Sequence, residues 1–190
     1  MNHSSSMLRT FKRTTSLDLS VWHNGILLTG LAEKKDTNGA FSLLEATMAP
    51  GTEPPPHVHS REDELFYVLE GEFDVYVGEE AFNVNTGECI FLPRLKPHAF
   101  VIRSSRLRVL VLFTPGGLEE TFREMSSPAH NLESPIRTLT HSESDLEHIT
   151  RRLSDYGVQV LTSHEVAERL PLYPKTLQRS EKPGSVERVG

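Results

Sequence analysis

Two histidines one residue apart, His57 and His59, stand directly behind three consecutive prolines, Pro54, Pro55 and Pro56. The prolines supply no backbone donors and favour polyproline geometry, so the chain reaches His57 extended and stiff. On an extended strand the side chains repeat on one face at every second residue, and both imidazoles therefore point the same way. Glu64 follows after a gap long enough for a turn. A third imidazole, His98, opens a later apolar stretch behind Gly87 and Pro93. Three neutral imidazoles and one carboxylate suit a single divalent transition metal, and suit neither an all-oxygen calcium cage nor a thiolate site. Iron, nickel, manganese, cobalt, copper and zinc all accept such a nitrogen and oxygen set, so the donors leave the identity of the ion open. Glu64 has two possible roles, as a fourth ligand or as a general base.

The rest of the chain supplies strands to hold these donors. Asn24-Gly25 is a turn signal, and Ile26–Leu31 after it reads as a strand. A second turn over Asp36–Gly39 leads into Ala40–Met48, its hairpin partner. Leu65–Leu69 is apolar on both faces, as a strand covered on two sides would be. Beyond Gly71 the alternation is clean, with Phe73, Val75 and Val77 on one face and Glu72, Asp74 and Tyr76 on the other. Ala81–Val84, Cys89–Leu92, the run through His98, Phe100 and Ile102, and Leu107–Phe113 complete the set. Many short strands with regular turn signals predict an all-β sandwich or barrel. Met48, Phe66, Val68, Phe73, Phe91 and Phe100 are the candidates for an aromatic-rich, dry pocket suited to a flat or apolar small molecule.

After Gly117 the period becomes helical. Leu118, Phe122 and Met125 share one stripe, on a short helix whose proximity in sequence places it over a barrel opening. Residues 126–140 read as a linker. Ser142–Asp145 resembles a capping box, and Leu146, Ile149, Leu153 and Tyr156 then line one face of a helix stopped by Gly157. Val158–Leu161 reads as a brief strand, and Ser163 as the cap of a last helix, Glu165–Leu170. The expected division is a flexible N-terminal arm (1–18), a β-barrel (19–115), a helical extension (116–172) and a mobile tail (173–190).

A formal net charge of −6 with no basic block argues against nucleic acid or an anionic membrane as partner. No apolar run approaches membrane-spanning length. The first seven residues lack the apolar segment of a secretory signal, and Cys89 stands alone, so the expected location is cytoplasmic, without disulfides. Leu65, Tyr67 and Leu69, apolar on an outer face, point to a homodimer through sheet packing. Of the nine histidines, His3, His23, His130, His141, His148 and His164 read as ordinary exposed residues, and Arg61, Glu62 and Asp63 as a solvated turn.

Gly51-x5-His57-x-His59-x4-Glu64-x6-Gly71 resembles the first motif of the cupin superfamily, and Gly87-x5-Pro93-x4-His98 resembles the second. Leu95 stands where that pattern usually has glycine, and Ile102 where it usually has asparagine, a structural turn or pairing residue. The resemblance covers about residues 20–115, and one motif pair implies a monocupin. It implies a double-stranded β-helix, the cupin jelly-roll barrel, with short C-terminal helices and with His57, His59, Glu64 and His98 converging on one metal inside. Together with the run from Pro115 to Phe122 and the helical extension, the arrangement is similar to the bacterial quercetinase-like group. That likeness implies dioxygenolytic opening of a flavonol or related enolic aromatic substrate, with Glu64 as the base. The same ligands on the same fold also serve isomerases, decarboxylases and oxidases of other small molecules, or a non-enzymatic binding domain.

Overall fold

The structure is a computed structural model that describes residues 8–135 and 143–175, the side chains of 143–148 excepted. The first strands are β1 (Ser20–His23), β2 (Ile26–Ala32), β3 (Ser42–Met48), β4 (His57–His59) and β5 (Asp63–Glu70). Then come β6 (Glu72–Val77), β7 (Glu80–Asn85), β8 (Cys89–Leu92), β9 (His98–Ile102) and β10 (Leu107–Thr114). Two short strands, β11 (Ser127–Pro128) and β12 (Val158–Val160), fall among the helices α1 (Lys34–Thr37), α2 (Leu118–Glu124), α3 (Glu143–Asp155) and α4 (Ser163–Arg169).

The strands form two antiparallel sheets, ordered β11-β1-β2-β3-β10-β5-β8 and β12-β4-β9-β6-β7. This is the expected all-β jelly roll. Strand β10 shows how it is made: its buried and half-buried residues alternate along its whole length, so one side enters the core and the other faces out. Between the sheets, Phe66, Phe73 and Phe100 meet edge to face with ring centroids 5.6 to 5.7 Å apart. Each such pair adds roughly 0.5–1.5 kcal/mol beyond the area it buries.

The turns follow the local chemistry of the chain. Asn24 and Gly25 both have positive φ, 46° and 79°, the twist that lets a two-residue turn join β1 to β2. Gly71, the last glycine of the first motif, sits at φ 92°, where an added Cβ would overlap the Arg106 carbonyl and the Ser104 hydroxyl. Only glycine fits there. At Asp36–Gly39 the expected turn is instead the single-turn helix α1 and its left-handed exit at Asn38, capped by reciprocal bonds between Glu33 and Asp36.

The segments outside the expected barrel add to the sheets. β11 pairs with β1, and β12 pairs with β4. Helix α4 covers the outer face of the smaller sheet, with Val166 and Leu170 against Val58, Tyr76 and Ala99. Its cap is Thr162 rather than Ser163, because Thr162 and Glu165 exchange side-chain and backbone hydrogen bonds in a capping box. Residues 8–18 run alongside β2 and β3, where Arg13 is paired with Asp36 at 2.5 Å and Thr15 donates to Glu45 at 2.7 Å. Residues 1–7, the capping box expected at Ser142–Asp145 and most of the expected tail lie outside the described residues or side chains. No helix among the described residues is long and apolar enough to cross a membrane.

Candidate metal centre

His57 and His59 lie on β4, second from one edge of the smaller sheet, and His98 opens the central strand β9 beside it. The only register pair between those strands is His57 with His98, which sets the two imidazoles side by side. Glu64 reaches across from β5 of the larger sheet. The ligand atoms of these four residues lie within 4.8 Å of one another, and none of the residues is more than 8% exposed. The Nε2 atoms of His57 and His59 are 3.0 Å apart, and those of His57 and His98 are 3.1 Å apart. Glu64 Oε2 is 3.3 Å from His98 Nε2 and 3.6 Å from His59 Nε2.

The outer nitrogens identify the tautomers. His57 Nδ1 donates to the Pro55 carbonyl at 2.8 Å, and His98 Nδ1 to the Lys96 carbonyl at 3.2 Å. A carbonyl only accepts, so each Nδ1 carries a proton, and a ring holding that one proton offers its Nε2 lone pair to the centre. Burial, with His98 and His59 as neighbours, holds the His57 pKa well below the ordinary 6.5 and keeps that ring neutral. Converging lone pairs repel one another unless a cation stands between them. Spacings near 3 Å are those of imidazole nitrogens sharing an ion through bonds of about 2.0–2.1 Å. The donor set therefore fits a divalent transition metal, and its mixture of nitrogen and oxygen leaves several ions possible.

The backbone around the cluster is fixed by neighbouring polar groups. Pro54–Pro56 bring the Pro55 carbonyl under His57, and Glu53 ties that loop down by accepting from Gly51 N at 2.6 Å and Ile102 N at 2.9 Å. Ile102, where the motif pattern expects asparagine, thus has its backbone donor satisfied by a carboxylate from another segment. Leu95, where glycine is expected, takes the left-handed conformation at φ 66° and donates its N–H to the His59 carbonyl at 2.7 Å. Asp63 holds the same loop through Arg94, whose side chain approaches to 2.6 Å and whose N–H donates at 2.9 Å. The Arg94 guanidinium and N–H together lower the Asp63 pKa to about 2.

A cavity of about 430 Å³ opens onto the cluster. That size is typical of small-molecule sites, which run to roughly 300–1,000 Å³. Met48, Phe66 and Phe100 line it, joined by Phe113, Leu118 and Phe122. Val68 and Phe73, also expected there, are fully buried in the core beneath it. Phe91 is a correction: it is 58% exposed. β8 pairs with β5 so that Phe91 lies opposite the outward Leu65, while Ile90 and Leu92 oppose the inward Phe66 and Glu64. The pairing register, not the apolar character of the run, chose the face.

Sequence reasoning missed several contributors. Val158 and Val160 of β12 and Ile149 and Leu153 of α3 line the cavity beside the ligands. His23 also lines it and is 8% exposed rather than an ordinary surface residue, with Nδ1 3.2 Å from Ser126 Oγ. Glu62, read as part of a solvated turn with Arg61 and Asp63, is 6% exposed. Its spacing of two from Glu64 is the signal that could have placed it on the inward side.

The Cupin domain family matches residues 44–114, a span that contains all four candidate ligands. A quercetin 2,3-dioxygenase of Bacillus subtilis is 27% identical over 108 residues, 54% of this chain and 32% of that protein. The chain thus spans about a third of that relative's length. An uncharacterised protein of Streptomyces coelicolor is 31% identical over 93 residues, 49% of this chain and 83% of that one. Among solved structures, an RmlC-like cupin from Shewanella frigidimarina aligns with a TM-score of 0.48 at 21% identity, covering 58% of this chain and 96% of that one. With both motifs inside the matched span and a jelly roll bringing their ligands together, the chain belongs to the cupin superfamily.

Proposed function

We propose that this cupin is a metal-dependent dioxygenase of the quercetinase-like type, opening a flavonol or a related enolic aromatic substrate with O2. The observation that carries it is a largely apolar cavity of about 430 Å³ that opens onto the four grouped donors, with His57, His59 and Glu64 on its wall. Phe66, Phe100, Phe113 and Phe122 give flat aromatic surfaces that a planar ring system stacks against. The low polarity of this wall excludes water and strengthens every charge interaction at the donors. The kinship with a quercetin 2,3-dioxygenase over half the chain supports the same substrate class.

In this reading His57, His59, Glu64 and His98 hold the ion, which supplies a Lewis acid that favours the deprotonated form of an enolic hydroxyl. Glu64 takes the proton of that hydroxyl on its carboxylate. The Pro55 and Lys96 carbonyls keep His57 and His98 in the tautomer that faces the site. The electron-rich ring, held flat by the phenyl groups, is then open to attack by dioxygen. The reading includes a cytoplasmic homodimer whose contact is the outer face of β5 and β8, where Tyr67 and Phe91 are exposed; light scattering measures its mass.

The test removes metal with a chelator, restores each candidate ion in turn, and follows flavonols by absorbance and an oxygen electrode. One O2 consumed per flavonol lost is the expected result. Flavonol conversion without oxygen uptake, or no conversion with any ion, rejects the dioxygenase. Glu64→Gln keeps the shape but not the basicity of the side chain. It should retain metal and lose about a hundredfold or more in turnover, the range for removing a general base.

A further inference from the structure

Each ligand histidine turns one nitrogen toward the centre and the other away, and the three outward nitrogens are not treated alike. Those of His57 and His98 donate to backbone carbonyls. The outward nitrogen of His59 faces a carboxylate: its Nδ1 is 3.7 Å from Glu62 Oε2, and the two side chains are 3% and 7% exposed. Neither atom has a hydrogen-bond partner among the described residues, although both are buried. Leaving two complementary buried groups unmade is costly, and a small rotation of either side chain closes the gap.

We propose that Glu62 is a positioning residue that acts through His59, accepting the Nδ1 proton and presenting Nε2 to the ion. It touches neither metal nor substrate. A carboxylate accepts more strongly than a carbonyl, and an imidazole hydrogen-bonded to it is the better donor to a metal. His59 would then be the most electron-rich of the three rings. The local sequence explains how one turn serves three ends. Glu62, Asp63 and Glu64 alternate in direction, so Glu62 meets the back of His59, Asp63 anchors the loop before His98 through Arg94, and Glu64 enters the cluster.

The proposal rests on His59 being a metal ligand, and its test separates the two ideas. Affinity for Co2+ is measured by competition with a chelator, and the visible spectrum of the cobalt-loaded protein is recorded, for wild type, Glu62→Ala and Glu62→Gln. Glu62→Ala should bind cobalt roughly 10–100-fold more weakly, the range for losing such a partner, and shift the cobalt absorption bands. Glu62→Gln, which still offers an oxygen acceptor, should recover most of the affinity. The melting temperature of the metal-free protein should be nearly unchanged in both. Unaltered affinity and spectrum in Glu62→Ala, or loss of metal-free stability that accounts for the weaker binding, overturns the role of Glu62. Wild-type protein that binds no divalent ion removes the metal-site reading itself.

Discussion

The ligand cluster and the outer part of the cavity are built in different ways. The cluster comes from three strands, two of them paired through His57 and His98, with each outward imidazole nitrogen facing a carbonyl or a carboxylate. The outer wall comes from single side chains on distant segments: His23 and Asn24 at the first hairpin, Thr52 and Glu53 in the loop before β4, Phe122 on α2, and Ile149 and Leu153 on α3. The hydrogen bonds from α2 to the end of α3 and the residue after it are exposed, with Glu124 accepting from Arg152 and from the Tyr156 hydroxyl. Exposed ion pairs contribute little, about 0–1 kcal/mol. The contrast teaches that the chemistry is fixed by paired strands, and the fit to a substrate by side chains that are easily exchanged.

The largest expected effect falls on the cluster. His98→Ala removes one ligand and the cross-strand partner of His57, and should weaken metal binding more than about a hundredfold, beyond the loss from a supporting residue. Metal content after dialysis measures it. Leu153→Ala, on the outer wall, should leave metal content unchanged and raise KM for an apolar substrate about tenfold, in the range for lost pocket contacts. If Leu153→Ala also released the ion, the two regions would not be independent, and the comparison would break.

Proton uptake sharpens the same contrast. The His57 pKa lies well below its ordinary 6.5, through burial first and then His98 and His59, so the unfolded chain takes up a proton more readily than the folded one. Stability of the metal-free protein is therefore complete above about pH 6.5 and falls as pH drops below it, by at most about 1.4 kcal/mol per pH unit for this one group. Melting curves of chelated protein between pH 7.5 and 5 test the sign. The smallest effect is expected at Leu95, whose φ of 66° strains the loop before His98 although its side chain is 67% exposed. Leu95→Gly should raise stability by up to about 1 kcal/mol, as a left-handed conformation no longer opposes a Cβ. Unchanged stability would mean that the leucine side chain offsets the strain.

The cluster was legible because its signals are local. A spacing of two on a strand fixes a shared face, three prolines fix the approach, and glycine marks the turns where φ is positive, as at Gly71. The cavity was only half legible. Phe100 follows from the alternation through His98 and Ile102, and Met48 and Phe66 line the cavity as expected. Phe91 does not, because Cys89–Leu92 is apolar without interruption and carries no period of its own. Its face depended on the register with β5. Glu62 was hidden for the opposite reason: three charged residues in a row look like a solvated turn, although the strand period carries on through them.

By itself the sequence determined which residues are the candidate ligands, which way neighbouring side chains alternate and where the chain turns, since dihedral preferences and a period of two act over a few residues. Only the tertiary structure decided that β12, about a hundred residues beyond β4, completes the wall beside His57 and His59. It also decided that His23 and α3 share that cavity and that Phe91 looks outward. Strand partners and register are chosen by how much apolar surface the whole chain removes from water and how many backbone groups it satisfies, and no short stretch of residues contains that sum.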